Sequence, residues 1–448
     1  MASGRESYAR VRSEPHMESG AASPETLQNV QKMLFMNQKK ELLKVKRNTG
    51  TFEESCAGAA DKAPTGDCRA LLKIVVSDPI SLLLFAWPAG CAAHYYEWGD
   101  ASTFWLNFFA MIPLAKIMGD ATEELAAGLH NEAVGGLLNA TFGNAVEMIL
   151  TVQTLRAGQL GVVKGTLLGS ILSNLLLVLG MSFFAGGLTR REGKLMGKEQ
   201  HFSKEAALTN MTMLFLAAAT FALPTVLFSS DFMSEYEESE RAEVTLKVSR
   251  WCSIYILSAY VAFLLFQLYT HVDVFKGEDD GEEEQALLSP CGAGTLLFLT
   301  TCFVAASSEW LVDSIDGIVD EWGIGKAFIG IVLLPIVGNA CEHAGAIRMA
   351  IVEKVDITIG IAIGSSTQVA LFVVPFSVII GWALGQPMDL AFGSMHTTVM
   401  LFAVLIAFSI TTDGSTNWFE GWMLMVAYAV IATLFWFVPE EHHAHAVA

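Results

Sequence analysis

Eleven apolar runs, near residues 70–96, 103–119, 133–157, 162–187, 206–229, 250–271, 291–313, 327–350, 357–384, 394–411 and 418–438, decide what this chain can become. Each is about long enough to cross a hydrocarbon layer of roughly 30 Å as a helix. In lipid only helices and closed barrels satisfy every backbone N–H and C=O. With 53% hydrophobic and only 16% charged residues, and a mean hydropathy of +0.46, the composition excludes an ordinary soluble domain. The expectation is an all-α integral membrane protein of about 11 transmembrane helices.

Polar segments divide the chain. Residues 1–69 read as a disordered cytosolic tail, 70–99 as a first helix, 100–275 and 291–438 as two longer membrane blocks, 276–290 as an acidic linker and 439–448 as a short tail. Basic residues in short loops set the orientation. Arg190, Arg191, Lys194 and Lys198 follow the fourth run, and Arg348 and Lys354 the eighth, which makes both loops and the N-terminus cytosolic. The net charge of −19 gathers in polar segments such as GEDDGEEE, with Glu278, Asp279, Asp280, Glu282, Glu283 and Glu284. Such acidity excludes nucleic acid as a partner. The segment reads equally as a solvated loop or as a funnel that concentrates divalent cations. Cys91, Cys252, Cys291, Cys302 and Cys341 fall within or at the edges of apolar runs, form no CxxC pair, and read as small packing residues.

The two blocks repeat each other. GNAVEM at Gly143 returns as GNACEH at Gly338, 195 residues later, and GTLLGSILSN at Gly165 returns as GIAIGSSTQV at Gly360, again 195 later. The two glutamates lie in the third and eighth runs. An odd interval of five spans gives them opposite directions in the membrane, so the chain reads as two inverted five-helix repeats after a first extra helix.

Each copy carries helix-breaking residues at the same place: Gly143 before Asn144, and Pro335 and Gly338 before Asn339. Discontinuous helices are expected there, with freed carbonyls lining a polar cavity. Asn144 and Glu147 are three apart, as are Asn339 and Glu342, Ser170 and Ser173, and Ser365 and Gln368, so each pair shares a helix face. A lone intramembrane glutamate can be a protonated packing residue. Two in symmetry-related positions with matching Asn and Gly point to function. Carboxylate, amide and hydroxyl oxygens suit a hard cation such as Ca²⁺. A single intramembrane histidine at the motif, His343, and no clustered thiols argue against soft-metal chemistry.

GLLNATFGNAVE from Gly136, LLGSILSNLLLVLG from Leu167, LLPIVGNACEH from Leu333 and IGSSTQVALFV from Ile363 together resemble the cation/proton exchanger family, the calcium/proton antiporters of the wider calcium/cation antiporter superfamily. The resemblance covers about residues 70–438. It implies an eleven-helix fold with an acidic cytosolic segment where GEDDGEEE stands. It implies a transporter, not an enzyme, that exchanges cytosolic Ca²⁺, or another divalent such as Mn²⁺, for protons by alternating access. Glu147 and Glu342 would be the exchange carboxylates and metal-binding groups, with Asn144, Asn339, Ser170, Ser173, Ser365, Gln368 and His343 as neighbours. Cys341 stands where a small residue is usual, and Ser173 where the second copy has an amide. A vacuolar or other acidic-store membrane is implied. The bilayer, Ca²⁺ and H⁺ are the expected partners, with no resident cofactor.

Three rivals share some of these features. A sodium/calcium exchanger shares the inverted repeat, but neither glutamate here has a neighbouring proline. An intramembrane metalloenzyme lacks ligands, because no HExxH accompanies Glu342 and His343. A passive channel also accepts carboxylates at a constriction, and differs by letting calcium run down its gradient without protons.

Overall fold

In the computed structural model, described over residues 67–76, 78–129, 132–188, 198–229, 233, 235–275 and 286–437, the chain is almost wholly helical. The acidic segment from Glu278 to Glu284, the basic residues Arg190, Arg191 and Lys194, and both tails lie outside the described residues.

The helices are α1 (Asp67–Val76), α2 (Ala86–Tyr95), α3 (Asp100–Gly128), α4 (Glu132–Phe142), α5 (Ala145–Arg156), α6 (Leu160–Gly187), α7 (Lys204–Ser229) and α8 (Glu238–Thr270). A short α9 (Val272–Phe275) follows, then α10 (Pro290–Asp313), α11 (Ile315–Trp322), α12 (Lys326–Gly338), α13 (Ala340–Ile351), α14 (Val355–Leu384), α15 (Ser394–Thr411) and α16 (Trp418–Phe437). One two-residue antiparallel pairing joins β1 (Gln200–His201) to β2 (Ser415–Thr416).

Among the described residues, 8 helices are long and apolar enough to cross a membrane, or 10 if two bent pairs each count as one span. The pair α4 and α5 occupies the expected third span but is not among these, so eleven spans are not reached by that measure. The expected first span, 70–96, is bent: Ala70–Val76 and Pro79–Tyr95 meet at 89°. Pro79 forces the residue before it out of helical geometry, and Asp78 is extended at φ −107, ψ 147. Lys116 of α3 holds Asp78 there at 3.0 Å. Cys291 also departs from expectation, since it is disulfide-bonded; it is exposed in the first turn of α10, at the edge of the span.

The repeat persists in three dimensions. α5 and α13 begin and end 195 residues apart, and α6 and α14 begin 195 apart. Each of α6 and α14 loosens into a π turn, Ser173–Val178 and Val369–Val373, that begins within the last residues of the duplicated serine motif. Such turns widen one loop of the helix and recur at functional positions. Lys198 pairs with Glu353 at 2.5 Å, which brings these two residues together at one end of the bundle.

α6 is the innermost span, with 83% of its apolar window buried, whereas α8 and α16 bury 22% each and form the rim. Lipid is as apolar as leucine, so close packing and hydrogen bonds hold membrane helices together. Gly169 shows the packing at its tightest: a Cβ there would collide with the Ile331 carbonyl and stand 2.5 Å from Pro335 Cγ. At the other end of the bundle from the Lys198 loop, Lys164 Nζ of α6 donates to Asp389 Oδ1 at 2.8 Å and to the Ala391 carbonyl at 2.9 Å. Both side chains keep about a fifth of their surface exposed. Lys164→Met should therefore cost only about 1 kcal/mol, seen as a modestly lower melting temperature in detergent.

Candidate functional site

The site forms where the two helix breaks meet. Asn144 (φ −105, ψ 24) and Asn339 (φ −88, ψ 14) both sit in the sparsely used bridge region between helix and strand. Gly143 and Gly338 precede them, and α12 meets α13 at 58°. Pro335 lies inside the last turn of α12, behind a π turn at Ile329–Leu333, so it loosens the helix before the break instead of making it.

Asparagine commonly caps a helix N-terminus, yet neither side chain does so here. Both are used across the repeats. Asn144 Nδ2 donates to Gln368 Oε1 of α14 at 2.8 Å. Ser170 Oγ of α6 donates to Asn339 Oδ1 at 2.9 Å, and Asn339 Nδ2 returns a bond to the Ser170 carbonyl at 3.1 Å. Each broken helix is thus bound to the unbroken helix of the opposite copy.

Glu147 and Glu342 occupy the first turns of α5 and α13, where exposed amides favour negative charge. Glu147 is 3% exposed. Its carboxylate lies against the other break, since a Cβ on Gly338 would be 3.1 Å from Glu147 Oε1. Gly338, which Glu147 lies against, lines the same cavity as Glu342. Both oxygens of Glu147, Oε2 of Glu342 and Oδ1 of Asn144 are buried without a hydrogen-bond partner among the described residues. Buried polar atoms are rarely left so. All four are oxygens, which is what a hard cation or a proton would take up.

A cavity of about 230 Å³ adjoins them, lined by Asn144, Gly338, Cys341, Glu342, Ser365 and Gln368, among others. Glu123 links it to a wider vestibule of about 450 Å³ that holds Asp78, Asp120, Glu124 and Arg348. The vestibule lies at the end that carries Arg348. Of the residues expected from sequence, Glu147, Asn339, Ser170 and Ser173 are buried and are not part of the cavity lining. His343 does not line it; its ring Nδ1 donates to the Asn339 carbonyl at 2.8 Å on its own helix. Among the described residues no group of three or more His, Cys, Asp and Glu converges as a closed metal site.

Two residues escaped the sequence reading. Asn174, fully buried, donates from Nδ2 to Ser365 Oγ at 3.0 Å, again between copies, and its Oδ1 has no partner. Thr151, one turn beyond Glu147, is buried with its hydroxyl unpartnered. Asn174 follows Ser173 directly in the sequence, but its partner lies 191 residues away.

The family model for the sodium/calcium exchanger protein matches residues 101–269 and 293–437, one segment for each repeat. The chain belongs to that family. Among its members, this one is 39% identical over 369 residues to the vacuolar calcium ion transporter of Schizosaccharomyces pombe, covering 82% of this chain and 87% of that protein. It is 39% identical over 404 residues to vacuolar cation/proton exchanger 2 of Arabidopsis thaliana, covering 88% and 89%. The solved structure of native YfkE superposes with a TM-score of 0.67 at 35% identity, covering 80% of this chain and 100% of that one. The H⁺/Ca²⁺ exchanger CAX superposes with a TM-score of 0.60, covering 82% and 92%; at 14% identity it shows the shared fold alone. These relatives place the family member described here among the cation/proton exchangers.

Proposed function

We propose that this chain is a secondary antiporter that moves Ca²⁺ out of the cytosol in exchange for protons across a vacuolar or similar acidic-store membrane. The observation that carries the reading is the set of buried oxygens on Glu147, Glu342 and Asn144, unpartnered among the described residues, beside a cavity that shares Glu123 with the vestibule. The names of its relatives support it: a vacuolar calcium transporter, vacuolar cation/proton exchangers, and YfkE, described as a Ca²⁺/H⁺ antiporter.

Glu147 and Glu342 are the exchange groups in this reading. A carboxylate withdrawn from water is stable when protonated or when paired with a cation, and an empty pair of charges is costly. Calcium entering from the vestibule therefore displaces protons, and protons arriving from an acidic lumen displace calcium. Asn144 Oδ1, fixed by the bond to Gln368, supplies a neutral oxygen, and the freed carbonyls at the breaks can supply others. Mn²⁺ is accepted by the same donors. The ion is cargo, and no resident cofactor is needed.

Energetics favour two protons per calcium. Raising calcium ~10³-fold costs ~4.1 kcal/mol, while two pH units return ~2.7 kcal/mol per proton. One proton falls short and two suffice.

Uptake of calcium into acidic liposomes in sodium-free medium, stopped by an uncoupler, tests the coupling. Uptake that needs a sodium gradient would sink this reading in favour of a sodium/calcium exchanger, and calcium flux indifferent to pH would favour a channel. Gln368→Leu removes the group that aims Asn144 and should weaken apparent calcium affinity by about tenfold, or about 1.4 kcal/mol.

A further inference from the structure

The two repeats are alike in sequence but differently packed, and the difference falls on four glycines. Gly165 and Gly169 of α6 are pressed against α12: a Cβ on Gly165 would be 3.4 Å from Gly330 Cα, and one on Gly169 would collide with Ile331 and Pro335. Their partners one repeat later are Gly360 and Gly364 of α14, where an added Cβ would meet nothing within 4 Å. The segment that α6 packs against also has a repeat partner. Gly330, Ile331 and Pro335 correspond, 195 residues earlier, to Gly135, Gly136 and Ala140 of α4. In this structure Gly136 faces Leu268 of α8 and Gly135 faces Ala126 of α3. The cavity at the site is lined by Asn139 and Phe142 from α4 and by Gly360 and Ile361 from α14, so it lies between the two surfaces whose counterparts are in contact.

Resting on the antiport reading, we propose that Gly135 and Gly136 of α4 and Gly360 and Gly364 of α14 form the seal that closes the vestibule side when the site opens to the other face. Inverted repeats allow the two copies to exchange conformations. The contact formed by α6 and α12 is then made instead by α14 and α4, and the present α6–α12 contact parts. Small residues are needed because the backbones must approach as closely as Gly165 and Gly330 do now. The seal fills the cavity with helix, and Glu342 loses its path to Glu123.

Two variants test this in liposomes. Gly364→Val meets open space in the present conformation, so it should fold and bind calcium from the vestibule side like the wild type. It should exchange at least tenfold more slowly, because the closed conformation is obstructed. The pair Gly135→Cys with Gly360→Cys, in a protein whose Cys91, Cys252, Cys302 and Cys341 are replaced by alanine, should form a disulfide with a copper oxidant. On the packed side a Cβ added at Gly165 would stand 3.4 Å from Gly330 Cα, near enough for a pair of cysteines at the corresponding positions to bridge. Cross-linking should stop exchange, and reductant should restore it. Wild-type exchange rates in Gly364→Val, or no cross-link between positions 135 and 360, would overturn the proposal. Cross-linking is read on gels without any transport, so it scores the seal even if the wild type proves not to exchange calcium for protons, which would instead refute the antiport reading.

Discussion

Replacing Glu147 with glutamine should abolish calcium/proton exchange while leaving the protein folded. The side chain keeps its shape. Neither of its oxygens has a hydrogen-bond partner among the described residues, so the fold loses no bond of theirs. Stability should therefore stay within about 1 kcal/mol of wild type. Transport loses a charged ligand and a proton carrier at once. Truncating one member of a buried charged contact costs roughly 2–5 kcal/mol, which corresponds to about 30-fold to several thousand-fold in affinity. Glu342→Gln should behave alike, because the two residues hold equivalent places in the repeat. Its larger opening to the cavity should make its effect on calcium binding from the vestibule side the greater. Melting curves and initial uptake rates on the same preparations separate folding from exchange. A variant that unfolds would assign Glu147 to packing.

Gly169→Val carries the second large effect, on the fold itself. Its new Cβ would itself collide with the Ile331 carbonyl and Pro335, both fixed within α12, so no rotamer relieves the clash. Overpacking usually costs about 1–3 kcal/mol, and backbone displacement between the two central helices should put this case at or above the top of that range. The expected result is little folded protein in detergent and a markedly lower melting temperature for what remains. Gly364→Val, its repeat partner, should melt like wild type. An equal loss in both variants would mean that glycine acts here through helix propensity and not through contact.

The contrast between those two glycines shows where sequence reading ends. The duplicated GNA-x-E and GS motifs located the breaks, the paired carboxylates and the serines, because their causes are local: glycine interrupts a helix, and residues three apart share a face. Gly169 and Gly364 are equivalent in sequence, and only tertiary packing distinguishes the closed side from the open one. The bend before the second helix was missed because hydropathy averaged across Asp78 and Pro79, although proline alone predicts an extended residue before it. Asn174 was missed because its partner, Ser365, lies 191 residues away. The cross-repeat bonds of Asn144 and Asn339 are non-local in the same way. They explain why the asparagines are bound to α14 and α6 and do not cap their own helices.

If calcium and protons compete for the same two carboxylates, calcium binding must set protons free. Purified protein is titrated with calcium at fixed pH in a lightly buffered solution, and the protons set free are counted. Wild type should release protons as calcium binds, each single glutamine variant should release fewer, and the double variant Glu147→Gln with Glu342→Gln should neither bind calcium nor release protons. Calcium binding by wild type with no proton release, or undiminished release in the double variant, would contradict it.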